Sequence, residues 1–417
     1  MNAPPLAPSG VVSRSQFAGP LRRRTGQRPH FDWVVVGAGL SGATMAERIA
    51  SQLSQRVLVI ERRDHIGGNA HDAVNDVGIR VHRYGAHIFH TRSRKVWTYL
   101  SRFTTWLPYV HRVRARLGNE LVPLPVNLDT VKALYPRHDA ILVQRRLISL
   151  IGMDARVPVL RLIDHPDALL REFGQRAYDS IFLKYTVKQW GMLPEQIDRA
   201  VTGRVPIVVS REDRYFPDTY QGIPADGYTA MVERMLDHPN ITVALDTEHS
   251  ELEKLATFDR MIYTGPIDEF FHHEHGPLPY RSLRFEHRNI SVDRVQPVAV
   301  VNHPDDAPYT RIIEHAHFGN QHLGVSTITF EYPEQYDAGS NEPFYPLPHS
   351  DSHSLYSIYG YAADRLAGRV LFVGRLAEYK YYDMDQAVAH ALVMFRRVAS
   401  RHARRLSTVS ATERGAL

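Results

Sequence analysis

Between Phe31 and Glu61 the chain reads FDWVVVGAGLSGATMAERIASQLSQRVLVIE, and no other stretch restricts the possible folds as much. An apolar run, Val34 to Val36, predicts a short buried strand, and it passes through Gly37, Ala38, Gly39 and Gly42 into a helical pattern with Met45, Ile49 and Leu53 on one face. A second apolar run, Val57 to Ile60, ends in Glu61. This is the order of a βαβ unit in a doubly wound sheet. Gly37 serves the tight turn, Gly39 lets the backbone approach a pyrophosphate, and Gly42 lets helix and strand pack closely. Glu61 stands about 20 residues beyond the glycines, where an acidic side chain can hydrogen-bond a ribose hydroxyl. The constellation predicts a dinucleotide site, and NAD and FAD both satisfy it.

At 417 residues the chain is long enough for two or three domains. With 43% apolar and 23% charged residues it has the composition of a soluble globular protein. No run approaches the roughly 20 apolar residues that would cross a bilayer. There are no cysteines, which excludes disulfides, thiolate catalysis and cysteine-ligated metal centres. The formal charge of +5 is modest and gathers at the ends, in Arg14, Arg22, Arg23, Arg24 and Arg28 and again from Arg396 to Arg405. That distribution does not suggest a basic face for nucleic acid. Residues 1–30 read as a disordered basic leader: they lack the apolar core of a secretory signal, and Pro4, Pro5, Pro8 and Pro20 oppose the amphipathic helix of a transit peptide. Residues 406–417 read as a disordered tail.

Farther along, helical spacing prevails from about Arg92 to Thr202, with Val96, Tyr99 and Leu100, Val131 and Leu134, Leu169 and Phe173, and Tyr178, Ile181, Phe182 and Tyr185. Asn127 is placed to cap a helix, Pro136 to end one, and Pro166 to sit in a first turn. Strand patterns return at Ile241–Leu245 and Met261–Thr264, then at Leu283–Arg288, Val298–Asn302, Arg311–Glu314 and Val325–Phe330. A last buried strand, Val370–Val373, leads through Gly374 to a helix from about Met384. The expected architecture is α/β: a Rossmann-like nucleotide domain with an inserted α-helical domain and an antiparallel β-sheet domain. Its predicted segments are 31–91, 218–275 and 350–405 for the nucleotide domain, 92–202 for the helices, and 203–217 with 276–349 for the sheet.

Five stretches remain to be explained together: YGAHIFHT (84–91), FLKYTVKQWG (182–191), GRVPIVVSREDRYFPDTYQGIPADGY (203–228), YTRIIEHAHF (309–318) and GRLAEYKYYDMD (374–385). The stretch ERRDHIGGNAHD after the second strand, with Gly67 and Gly68, resembles flavoprotein families in which the first βαβ unit binds the adenosine end of FAD. With that fingerprint, the five stretches resemble the bacterial type of the UDP-galactopyranose mutase family, in order, from about Phe31 to the final helix. The resemblance implies an isomerase that interconverts UDP-galactopyranose and UDP-galactofuranose with no net redox change. It further implies FAD that is active when reduced, a covalent adduct between flavin N5 and the sugar, retention of UDP, and a cytoplasmic homodimer engaging neither nucleic acid nor membrane.

Residue by residue, the resemblance assigns Arg204 and Arg311 to the substrate diphosphate, a task suited to the planar, permanently charged guanidinium fork. Phe182, Tyr185, Thr186 and Trp190 fall to the uridine, although Phe182 reads equally well as a core residue. Tyr215, Tyr345 and Tyr381 are expected to donate to phosphate oxygens while offering apolar surface to the sugar. Asp383 lies at the same mouth, and Asn302 is a further polar contact. His87 matches the histidine expected against the flavin ring, with His90 as the alternative, and there it could respond to the cofactor's redox state because imidazole titrates near neutrality. Gly37, Ala38, Gly39, Gly42, Glu61, Arg62, Gly68, Asn69, Gly374, Arg375 and Met384 complete the expected cofactor contacts.

No metal site is expected, and HHEH at 272–275 reads as a solvated loop. The sequence also lacks a G-x-S-x-G elbow, a glycosidase-like carboxylate pair and a second Gly-x-Gly-x-x-Gly after a strand. Two rival readings share the fingerprint: an FAD-dependent oxidoreductase of the amine-oxidase type, and a non-enzymatic binder like the guanine-nucleotide dissociation inhibitors.

Overall fold

The first apolar run becomes a central strand, His30–Val36, in a six-stranded sheet of the computed structural model, which describes residues 11–12, 28–198, 205–319, 321–347 and 349–414. The strand order is Val11–Val12, Ile241–Ala244, Val57–Ile60, His30–Val36, Thr257–Tyr263 and Val370–Phe372, and every pair is parallel. Parallel strands covered on both faces read as continuous apolar runs, as Val57–Ile60 does with all four residues fully buried. The helix Leu40–Leu53 crosses between the first two strands and packs against Gly227–Leu236 and against the last helix, Met384–Arg414. His30–Val36 therefore has Val57–Ile60 on one side and the late strand Thr257–Tyr263 on the other. The strand order reverses at that point, and the crevice beyond the strand ends there is where such sheets bind ligands.

A second sheet has seven strands in the order Tyr345–Pro346, Tyr280–Ile290, Ser326–Gln335, Arg311–Glu314, Val300–Asn302, Val113–Leu117 and Glu120–Leu124. It is antiparallel except where Val113–Leu117 runs parallel to Val300–Asn302.

Four expectations need correction. The stretch 92–202 is not helical throughout: Trp106–Pro108 pairs with Tyr220–Pro224, and the hairpin Val113–Leu117/Glu120–Leu124 closes the large sheet. Alternation was present there, with Val113 and Ala115 buried between more exposed arginines and a turn at Gly118 with φ +59°. After a short helix, Arg94–Leu100, the helices resume at Leu128, capped by Asn127 as expected, but Pro166 precedes the cap Asp167 instead of entering the first turn. Finally, the last helix runs on to Arg414, well into the expected tail, because neither Gly nor Pro interrupts it before Gly415. Of the expected leader, Val11–Val12 form an edge strand and His30 opens the central one. No helix among the described residues is long and apolar enough to cross a membrane.

Candidate active site

At the switch point lies a cavity of about 400 Å³, lined by Gly37, Gly39, Gly42, Glu61, Arg62, Gly68, Asn69, His87, Gly374, Arg375, Asp383 and Met384, all sequence candidates. The glycines there have separate reasons to be glycine. Gly37 has φ +103°, and a Cβ would lie 2.1 Å from Thr264 Oγ1. A Cβ on Gly42 would lie 2.0 Å from the Gly37 carbonyl oxygen, so helix and strand touch there. Gly39 and Gly68 bring two backbones together: a Cβ on Gly68 would stand 3.0 Å from the Gly39 Cα. Gly39 also caps the helix Leu40–Leu53, whose N-terminus has neither a side-chain cap nor an acidic residue in its first turn. Backbone N–H groups at an uncapped helix start, beside glycines with no side chain to intervene, fit an anionic pyrophosphate.

Glu61 is buried, and its carboxylate accepts from Ala38 N at 2.8 Å and from Arg63 N at 3.1 Å. Each oxygen keeps a second lone pair for a ribose hydroxyl. Arg62 and Arg63 both pair with Glu342, which ties this segment to the seven-stranded sheet's edge loop. Opposite, Gly374 donates to Glu378, while Arg375 donates to the Tyr382 carbonyl at 2.6 Å.

The two candidate histidines are separated clearly. His87 lines the cavity, with Nδ1 2.9 Å from the Gly85 carbonyl. Because that oxygen can only accept, Nδ1 carries the proton and Nε2 is left as an acceptor. Burial carries its pKa down to about 3, so the ring is neutral near pH 7, contrary to the expectation of titration near neutrality. His90 is outside the lining, stacked on Phe216 and bound to Asp218 at 2.6 Å.

A second, smaller cavity of about 120 Å³ gathers Phe182, Tyr185, Thr186, Trp190, Tyr215 and Asn302. A π-helical turn over Tyr178–Phe182 precedes the helix Leu183–Trp190; the chain buries Tyr178 in the core, and Ile181, Phe182 and Tyr185 line the space. Trp190 closes the helix just before Gly191, at φ +69°, and packs edgewise on Tyr381 at 5.6 Å and tilted on Tyr345 at 5.8 Å. Arg375, from the larger cavity, lies over the same two tyrosine rings at 5.3 and 5.5 Å. Tyr345 and Tyr381 thus touch residues of both cavities.

Arg311 is held by Glu331 at 2.9 Å, and its charge feels Tyr185, Tyr345 and Tyr215. Burial pushes the Glu331 carboxyl up, and Arg311 draws it back. Burial likewise raises the phenols of Tyr185 and Tyr345, which keeps them protonated donors. Arg311 Nε and Asn302 Oδ1 are buried with no partner among the described residues, a donor and an acceptor left for a ligand. Arg204 lies outside the described residues; its neighbour Val205 lines the smaller cavity. Sequence reasoning missed Glu331, Phe344 and the turn Thr264–Pro266, which line or brace these spaces. The signal for that turn was legible as TGP directly after an apolar strand.

The sequence profile of the UDP-galactopyranose mutase family matches residues 180–381, and that of an NAD(P)-binding Rossmann-like domain matches residues 35–103. A probable UDP-galactopyranose mutase of Klebsiella pneumoniae is 35% identical over 361 residues, 86% of this chain and 92% of that protein. A dTDP-fucopyranose mutase of Escherichia coli is also 35% identical, over 372 residues, 86% of this chain and 96% of that one. In fold, the chain is similar to a crystal structure of reduced UDP-galactopyranose mutase, with a TM-score of 0.69 over 90% of this chain and 94% of that one at 14% identity.

Proposed function

The chain belongs to the UDP-galactopyranose mutase family, and from that membership we propose that it interconverts UDP-galactopyranose and UDP-galactofuranose with FAD as cofactor and no net redox change. The observation that carries the reading is the Trp190, Tyr345 and Tyr381 cluster, which joins a cavity suited to a dinucleotide to one suited to a nucleotide sugar. An anion-ready helix start and two facing glycines support FAD in the first. In the second, aromatic faces suit uracil and Asn302 Oδ1 awaits a polar partner, while Arg311, its Nε likewise without a partner among the described residues, stands opposite Asn302 on the neighbouring strand.

Exchanging pyranose for furanose breaks and remakes the bond from the anomeric carbon to UDP without changing oxidation level. Reduced flavin, when bound, supplies a nucleophilic nitrogen, N5, for covalent catalysis at that carbon. The residues of the chain then have one dominant duty: to keep UDP in place while it is detached. Arg311, together with Arg204, is assigned that duty, since a charged fork binds phosphate oxygens in a fixed geometry. Tyr215, Tyr345 and Tyr381 donate phenolic hydrogen bonds to the same oxygens and shield the sugar from water, while Tyr185 falls to the uridine with Thr186 and Trp190. His87, neutral and protonated at Nδ1, can accept a hydrogen bond at Nε2 beside the cofactor without bringing a charge there.

The Escherichia coli relative supports a second reading, in which the sugar nucleotide is dTDP-fucopyranose. Purified protein, reduced with dithionite, is offered UDP-galactofuranose or dTDP-fucofuranose, and the pyranose product and the reductant are both quantified. The proposal expects a yellow protein that bleaches, turns over the UDP sugar preferentially and uses no stoichiometric reductant. Preference for the dTDP sugar establishes the second reading, stoichiometric use of reductant an oxidoreductase, and a colourless, inactive protein a non-enzymatic binder. Family membership also supports a cytoplasmic homodimer, which sedimentation and cell fractionation test.

A further inference from the structure

Lys188 stands inside FLKYTVKQWG, yet it is not among the residues lining the smaller cavity. Its Nζ instead donates to three backbone carbonyls, those of His303 at 2.5 Å, Ala307 at 2.9 Å and Tyr309 at 2.9 Å. An ammonium has three donors and no acceptor, so the three carbonyls use it fully. All three belong to the connection between the strands Val300–Asn302 and Arg311–Glu314. That connection begins one residue after Asn302 and ends just before Arg311. Converging carbonyl dipoles oppose one another unless a cation or donor lies between them, so the connection's path depends on Lys188.

Neighbouring contacts have the same direction. Lys184, one turn earlier on the same helix, pairs with Asp306 of that connection at 2.7 Å, but both side chains are largely exposed and the pair is weak. From the other side, Arg281 donates to the carbonyls of Lys188 and Gln189, each at 3.1 Å, and so holds the helix end that carries Trp190. Burial lowers the Lys188 ammonium from the usual lysine range, as expected for a cation placed among carbonyls instead of water.

We propose that Lys188 is a positioning residue that binds the two halves of the nucleotide site to each other, holding Asn302 and Arg311 in register with Tyr185, Thr186 and Trp190. The inference rests on the reading that the smaller cavity takes the nucleoside diphosphate. Loss of Lys188 frees the connection from the helix, so Asn302 and Arg311, at its two ends, are no longer fixed relative to the helix that carries Tyr185, Thr186 and Trp190. A group that only stabilised the fold would lower the melting temperature but leave the affinity of the folded, flavin-loaded fraction unchanged.

The test titrates UDP into flavin-loaded full-length protein and follows tryptophan fluorescence for the wild type, K188M, K188R and K184M. K188M is expected to raise the Kd for UDP at least tenfold while flavin content per chain and the flavin absorption spectrum stay as in the wild type. K188R falls between, threefold or more above the wild type, because a flat guanidinium fork cannot meet three converging carbonyls as an ammonium does. K184M stays within twofold. Should K188M yield no flavin-loaded protein, K188R carries the test, and a Kd within twofold of the wild type in the variant measured overturns the inference. A wild-type protein that does not bind UDP overturns the underlying reading, a result distinct from equal binding by wild type and variant.

Discussion

Replacing Arg311 with methionine separates its ion pair with Glu331 from the phosphate contact proposed for it. Its guanidinium is 2.9 Å from Glu331, a carboxylate only 2% exposed, so removal strands a buried charge. Breaking such a pair from one side costs about 3–5 kcal/mol. Loss of a charged contact to phosphate costs a further amount in affinity, roughly 1.5–3 kcal/mol, or about 10–150-fold in the Kd for UDP. The sign of the pH dependence follows from Glu331. Burial already raises its pKa above the ordinary 4.5, and without Arg311 the rise is larger. The folded variant then holds a proton that the unfolded chain gives up, so the stability deficit is small near pH 4.5 and grows as pH rises toward 8. Urea unfolding at pH 5 and 8 measures the first effect, and UDP titration of flavin-loaded protein the second. R311M/E331Q should recover most of the stability, because neutral glutamine tolerates the site, and none of the affinity. A double variant that binds UDP like the wild type would falsify the phosphate role and reduce Arg311 to a counter-ion for Glu331.

Three other outcomes are expected. G42A forces a methyl to within 2.0 Å of the Gly37 carbonyl oxygen, which is backbone and must move; destabilisation of about 1–3 kcal/mol and loss of most bound flavin should follow, and a fully yellow variant would contradict the cradle. His82 and His111 are buried and have pKa values lowered by burial to about 4 and about 3. Below about pH 6.5 the unfolded chain takes up protons that the fold refuses, so each removes up to about 1.4 kcal/mol of stability per pH unit as pH falls toward those values. Urea midpoints that stay level from pH 7 to 5 would show that these rings are charged in the fold. E342Q releases Arg62 and Arg63 at a rim where Glu342 is 38% exposed, and the unfolding free energy from urea titration should change by less than about 1 kcal/mol at physiological salt.

Local pattern carried the nucleotide domain unusually far. Gly37, Gly39, Gly42 and Glu61 sit where their spacing placed them, because turn, close approach and helix packing are each imposed within thirty residues. Phe182 is ambiguous on periodicity alone, since core and cavity can share one helical stripe, and the structure gives it both surroundings: it lines the smaller cavity and packs against the core. Glu331 left no signal, for an acidic residue in an alternating strand reads as a solvated one until the partner strand puts Arg311 beside it. Lys188 was equally silent, because its acceptors are carbonyls more than a hundred residues away.

What the amino-acid order determined by itself was therefore whatever depends on neighbours along the chain: the βαβ unit, the glycine cradle, the capped helix at Asn127 and the identities of the arginines and aromatics. Which of those groups meet was decided only in three dimensions. The place of His87 in the cavity lining and of His90 outside it, the pairing of Arg311 with Glu331 and the contact of Trp190 with Tyr345 and Tyr381 all depend on strand register and on helices brought from distant segments. Burial sets the charge of such groups, and burial belongs to the packed molecule.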